Sequence, residues 1–407
     1  MYIEEEPADR LARGVPLHEA LDTSVPAAWT ELDSGIRARG AGPASPLPTR
    51  HSLRALPEGP PSAAQEPLIA LALCHPNGRV REAALKRAAG VPGLLPLLLV
   101  RSTDWAPPVR DRARELLAGT TAAQLAPLAP LVLALAGRDR GGFALAALEG
   151  ALRECPADDV RPLLESGDRA VRRFAHRVAV DRRLLSAAEL AATAAGAQDD
   201  VRLQVICAEA ALALTPDGEG FDSVVRPLLS ARSPQVRATG VTGLRRTGRH
   251  GEAAAYLADR SGLVRACARY VLRQGGTDPL PLYRSMCAEP SEHPAAAAGL
   301  GECGTRDDAG VVETLMAHHH PSVRAHALTG LRALDAVRAV AVEPLLDDPV
   351  PAVVRGAARA LLPYAAGLDR TRLLARLGPD RPRAARTAAR RLLDAQDRAR
   401  VRGLPGV

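Results

Sequence analysis

The chain has 407 residues and a net charge of +7, and aromatic residues make up only 2% of it. A single globular core of this length would split into domains, whereas a stacked repeat array avoids that limit because each unit packs only on its neighbours. Alanine, leucine and arginine dominate, and the shortage of aromatic side chains argues against a large sheet core.

The first residues, MYIEEEPADR, are acidic where a secretory signal would be basic and then apolar, which predicts a cytoplasmic protein. Residues 1–66 hold ten acids against six arginines. Within them, Pro26–Arg39 places Trp29, Leu32 and Ile36 on one helical face, which predicts a docking helix acting as an end cap. Gly40 to Pro67 is rich in Pro, Gly, Ser and Ala and reads as a linker. Residues 1–66 are thus expected to form an acidic segment with one helix and a linker.

From residue 67 to residue 400 a short pattern recurs: Val-Arg, then a small residue four positions after the Val, often with Leu at the eighth. It begins at Val80, Val109, Val171, Val201, Val236, Val264, Val323 and Val354, with weaker copies at Phe143, Glu292 and Ala384. Successive starts lie 28 to 35 residues apart, a period that fits two short helices per unit. Offsets 0, +4, +7 and +8 from each start share one helical face, so each copy reads as the second helix of a pair. Ala or Gly at +4 lets backbones approach closely. Polar turns such as HPNGR (75–79) and HHHPS (318–322) precede the anchors, and apolar first helices such as LIALALC (68–74) precede the turns. The expected fold is therefore all-α, an α-solenoid of about eleven helix pairs.

No apolar run is long enough to span a membrane; the longest, Leu125 to Gly137, contains Pro127 and Pro130. The six cysteines, Cys74, Cys155, Cys207, Cys267, Cys287 and Cys303, form no CxxC and read as small buried residues in a reducing compartment. Residues 370–407 hold eleven arginines and three aspartates, while Lys86 is the only lysine of the chain. The last residues, 401–407, are expected to fray.

The turn-Val-Arg-x-x-Ala pattern resembles the HEAT family, in particular the short HEAT-like repeats of phycobilisome-lyase-type proteins. The resemblance covers roughly residues 67–400 and is specific for fold, while these solenoids serve many roles. It implies that the Arg after each anchor (Arg81, Arg110, Arg172, Arg202, Arg237, Arg265, Arg324 and Arg355) joins a structural ladder by pairing with an Asp of the preceding turn. Asp104 and Asp259, six residues before Arg110 and Arg265, match that arrangement; elsewhere the acid sits differently (Asp168, Asp200, Asp348) or is missing. A row of phosphate-binding arginines is the alternative reading.

Six further arginines occupy offsets +5 (Arg114, Arg269, Arg359) and +9 (Arg245, Arg273, Arg332), away from the apolar face. In HEAT-like arrays second helices line the concave face. This stripe therefore predicts a binding track for an acidic macromolecule, a protein first and a nucleic acid as the alternative. The basic tail carries no aromatic residue for base stacking. His318, His319, His320 and His326 lack paired ligand spacing, so no metal is expected.

Certain bacterial alkylpurine DNA glycosylases also resemble this chain in architecture; they use an Asp with Trp side chains, parts that only Asp104 and Trp105 could take here, Trp29 being the other Trp. The chain has no GxSxG, Walker loop or HExxH. The expectation is a non-enzymatic scaffold without a cofactor, with nucleic-acid association, and glycosylase activity at its edge, as the alternative.

Overall fold

The turns ahead of the Val-Arg copies stop one helix and start the next. Asn77 accepts from the Arg79 N–H (2.9 Å) and Asp168 from the Ala170 N–H (2.6 Å), filling donors that a helix start leaves without partners. Pro107, Pro234, Pro321 and Pro351 stand at the first helical position, where a missing N–H costs nothing. The computed structural model describes residues 5–39, 47–57, 61–197, 199–215 and 220–403, with side chains to Arg400. Among them it contains helices and no strand.

The chain forms two units, residues 1–185 and 186–407. In the first, second helices run Gly78–Ala88, Pro107–Leu117, Gly142–Glu154 and Arg169–Asp181. In the second they run Val201–Leu214, Pro234–Gly243, Gly262–Gln274, Ala296–Cys303, Pro321–Ala333, Pro351–Leu361 and Arg383–Gly403. Within each unit these helices stack mostly in chain order, each against its own first helix, as in an α-solenoid. Several first helices are short or 3-10, as at His250–Tyr256 and Glu343–Asp347. The last second helix continues to Gly403, past the predicted end at residue 400; residues 404–407 lie outside the described part.

Burial follows the expected face in most copies: Val109, Ala113 and Leu117 are buried, as are Val264, Ala268, Val271 and Leu272. Small residues set the spacing between helices. A side-chain carbon on Gly240 would lie 3.0 Å from the Leu229 nitrogen, and one on Gly330 would run into the Ala297 carbonyl of the neighbouring second helix.

Three expectations change. The anchor at Val201 is half exposed (50%); Leu203 and Gln204 are buried in its place, so Asp200 caps a helix whose packed positions start later. Offset +5 is a packed position in other copies: Leu85, His176, Val241 and Leu328 are buried there. A second helix touches both its own first helix and the second helices on either side, so its buried arc is wider than one apolar stripe.

Third, residues 1–66 hold more than one helix: Pro7–Ala12, Leu17–Ala20, Pro26–Ala38 and Arg50–Arg54, the last inside the predicted linker. Residues 40–46 and 58–60 of that linker lie outside the described part. Trp29, Leu32 and Ile36 are buried, in a core shared with Ile69, Leu97 and Leu99.

Candidate binding surface

Where a Val is buried at the start of a second helix it fixes where the next side chain begins, and in six copies the Arg there reaches back over its own turn. Arg81 donates from one terminal nitrogen to the His75 and Pro76 carbonyls (2.8 and 2.9 Å). Arg237 does the same to Ala231 and Arg232 (2.8 and 2.9 Å), and Arg324 to His318 and His319 (2.8 and 3.0 Å). Arg110, Arg172 and Arg265 also reach their own turns, at Asp104, Ser166 and Asp259. These carbonyls end the first helix and would otherwise lack a donor.

The carboxylate comes from the following turn, the reverse of the pairing that the resemblance implies. Arg81 grips Asp104 in two bonds of 2.9 Å, Arg237 grips Asp259 (2.8 and 2.9 Å), and Arg324 grips Asp348 (2.8 and 2.9 Å). Asp104 and Asp259 thus serve the arginine one repeat earlier and offer Arg110 and Arg265 only their main-chain carbonyls. Arg265 instead pairs with Glu302. Two slots differ: Arg202 and Arg355 are exposed, and neither has a hydrogen bond or ion pair to a described residue.

Asp104 is the most enclosed acid of this set. Its side chain has no exposed surface and takes bonds from Arg37 (3.0 Å), Arg81 and Arg101 (2.8 Å), and from the Ala106 N–H (3.0 Å). Burial pushes its carboxyl up, but the Arg81 hydrogen bonds and the Arg101 charge outweigh that and hold it below the usual carboxylate range. Arg101 also pairs with Asp33, so this cluster fastens the Pro26–Ala38 helix to the first repeats. A carboxylate so consumed cannot face an alkylated base. Trp105 is exposed (64%) beside the Arg81 guanidinium, and Trp29 is buried with its ring N–H on the Thr23 carbonyl. The geometry of a glycosylase pocket is not present at Asp104.

The six stripe arginines divide. Arg269 is partly buried and bonds Glu302 (2.5 Å) and the Tyr283 hydroxyl (3.3 Å). Arg114 bonds the Ser102 carbonyl (3.1 Å) and lies over the Phe143 ring. Both act within the fold, held by these contacts, whereas Arg359 at the same offset is exposed. Arg245 is exposed over Tyr270, and Arg273, Arg332 and Arg359 are exposed. Neither Arg273 nor Arg332 nor Arg359 has a side-chain hydrogen bond or ion pair to a described residue. The tail divides too: Arg370 pairs with Asp397 and Arg376 with Asp347 and Glu343, whereas Arg383 and Arg391 have no such partner.

Two of these sets meet. Helices Pro351–Leu361 and Arg383–Gly403 flank a groove of about 450 Å³. Arg355 and Arg359 form one wall, and Arg383 and Arg391 the other. Ala358, Ala384 and Ala388 lie between them. The spacing of four between Arg355 and Arg359, and of eight between Arg383 and Arg391 with Thr387 midway, puts each wall on one face. That spacing is visible in the sequence; the juxtaposition of the two helices is not.

The histidines serve local structure. The His318 ring accepts the His320 N–H (3.1 Å), and the His326 ring bonds the Ser322 carbonyl (2.8 Å). Exposed Glu289 and Glu292 with His293 bring three possible ligand atoms together, a cluster the sequence spacing did not single out. Among the described residues no helix is long and apolar enough to cross a membrane.

No family model matches the chain, and no curated protein matches it. Solved structures similar to it include an engineered protein (16% identity, TM-score 0.22, covering 97% of this chain and 99% of that one). Another is importin beta (12% identity, TM-score 0.26), where the match covers 96% of this chain and 62% of that chain.

Proposed function

We propose that this protein is a non-enzymatic, HEAT-like scaffold of the short-repeat, phycobilisome-lyase-like kind. It binds an acidic macromolecular partner, a protein, through arginines on the second helices of residues 186–407. One observation carries the reading: the arginines that hold the repeats together have their hydrogen bonds taken up by carboxylates or carbonyls, while Arg245, Arg273, Arg332 and Arg359 are exposed and take no carboxylate. An unpaired guanidinium keeps its planar set of donors for a carboxylate on another molecule. Arg81, Arg237 and Arg324, with Arg110, Arg172 and Arg265, act as the structural ladder. Arg202 and Arg355 fall outside it, and so, as binding residues, do Arg114 and Arg269.

The reading needs no cofactor. Six free cysteines support a cytoplasmic setting; burial pushes the Cys207 thiol up to about 12 and the Cys287 thiol up to about 11, as for inert core residues.

The test is the triple variant Arg245→Ala, Arg273→Ala, Arg332→Ala. Partners captured by the wild type from the native host should be lost by the variant at unchanged melting temperature. Unchanged capture would end the reading. Duplex DNA bound more tightly than any captured protein, with steep salt dependence, would replace it with nucleic-acid association.

A further inference from the structure

The groove between the last two second helices combines two properties. Its walls carry four arginines, Arg355, Arg359, Arg383 and Arg391, and no carboxylate lines it. Its exposed lining is nonetheless mostly carbon, from Ala358, Ala384, Ala388 and the arginine stems. Like charges held side by side raise one another's energy, and nothing in the fold offsets that here, since none of the four side chains has a hydrogen bond or ion pair to a described residue. The ladder explains this for Arg355. Arg324 one repeat earlier takes Asp348 from the following turn, but the next candidate, Asp380, is exposed beside Arg381 and leaves Arg355 without an acceptor.

Both helices also begin at this groove, with Pro351 and Arg383 among its lining, so the positive ends of two helix dipoles add to the arginine charge. The anion it fits must offer several negative groups, spaced by about one helical turn, roughly 6 Å, to meet Arg355 and Arg359. It must also offer apolar matter for the alanine floor. A phosphodiester backbone supplies the first and not the second, and the groove has no aromatic ring for a base. A peptide segment of Asp or Glu with interleaved apolar side chains supplies both.

We propose that this groove docks such an acidic, apolar-interleaved peptide segment of a partner protein, its carboxylates on Arg355, Arg359, Arg383 and Arg391 and its apolar side chains on the alanine floor. The proposal rests on the scaffold reading above and assigns the partner's contact to one place.

The probe is a fluorescein-labelled dodecapeptide of Glu-Glu-Leu repeats, followed by fluorescence anisotropy with the full chain. Controls are the same peptide with Ser for Leu and a labelled duplex of about 20 base pairs. The Leu peptide should bind at least about tenfold more tightly than the Ser peptide of equal charge. Two groove variants, Arg355→Gln with Arg391→Gln, and Ala384→Glu, should each weaken it at least about tenfold while the melting temperature holds. Equal binding of the Leu and Ser peptides would reduce the groove to a nonspecific charged surface and overturn the proposal, as would tighter binding of the duplex. Loss of the Leu peptide in the Arg245/Arg273/Arg332 variant with full binding in both groove variants would overturn the groove alone and leave the scaffold reading standing. Full binding in all three variants would end both.

Discussion

Arg324 and Arg355 hold the same slot in successive repeats and meet opposite fates. Arg324 is folded into its turn, with two carbonyls on one nitrogen and Asp348 on the other two, and is only 12% exposed. Arg355 stands in the open, at the edge of a groove with three other arginines. The difference does not lie in the arginine or its helix. It lies in the residue that the following turn offers, and at the end of the array that offer fails. The same motif builds structure at Arg324, where a carboxylate follows, and leaves Arg355, where none does, open to another molecule.

The comparison predicts the largest effect where the pairing is deepest. Asp104→Asn leaves buried Arg81 and Arg101 and half-buried Arg37 around a neutral amide, and residues 1–185 should lose about 3–5 kcal/mol. Urea denaturation followed by near-ultraviolet signal from Trp29 and Trp105 reads that unit, which holds both tryptophans. A loss below about 1 kcal/mol would mean the cluster is not holding the cap. The same residue sets an acid limb. A carboxyl held low in the folded state adds stability above its unfolded value, about 3.9, and loses that contribution as pH falls below about 4 toward the folded value. In the wild type, stability should drop over that window; Asp104→Asn should flatten the drop.

At Asp348 the pair is less enclosed, and Asp348→Asn should cost about 1.5–3 kcal/mol. It also turns Arg324 into a second Arg355, so the Glu-Glu-Leu peptide should gain a weak additional site, seen as stoichiometry above one. Gly330→Ala probes packing without charge. The added carbon meets the Ala297 carbonyl and lies 3.1 Å from a Val312 methyl, and should cost about 1–3 kcal/mol by thermal melt. A neutral result would show that the Ala296–Cys303 and Pro321–Ala333 helices can move apart freely.

The helix pairs were readable because a buried Val, a small residue and a turn recur at a near-constant interval. What was hidden follows from physics that one repeat cannot display. Val201 has the right letters, but Leu203 and Gln204 take the buried positions, since Asp200 caps the helix at that register. The +5 stripe failed at Arg269 because a helical wheel counts one partner for each helix and this fold supplies several. Asp104 stands at the interval a ladder needs but serves Arg81 and not Arg110, and spacing gives no direction along the stack. The short Pro7–Ala12, Leu17–Ala20 and Arg50–Arg54 helices draw their stability from the core beneath them more than from propensity, so composition alone reads that stretch as linker. The groove needed two helices to be placed side by side.

The smallest effect is the most discriminating. If the groove arginines serve the fold, replacing Arg355, Arg359, Arg383 and Arg391 together by Gln should destabilise residues 186–407 as the ladder variants do. With no side-chain hydrogen bond or ion pair to a described residue, their loss should instead change stability by no more than about 0.5 kcal/mol per site. The sign should favour the variant, because four like charges along one groove repel and glutamine keeps most of the aliphatic cover over Ala358 and Ala388. That gain has a signature. Repulsion between exposed charges is screened over about 10 Å at 0.1 M salt and about 3 Å at 1 M. The variant should therefore melt higher than wild type at low salt and converge with it at high salt. A variant that melts lower at every ionic strength would place these arginines with Arg81 and Arg324, as members of the framework.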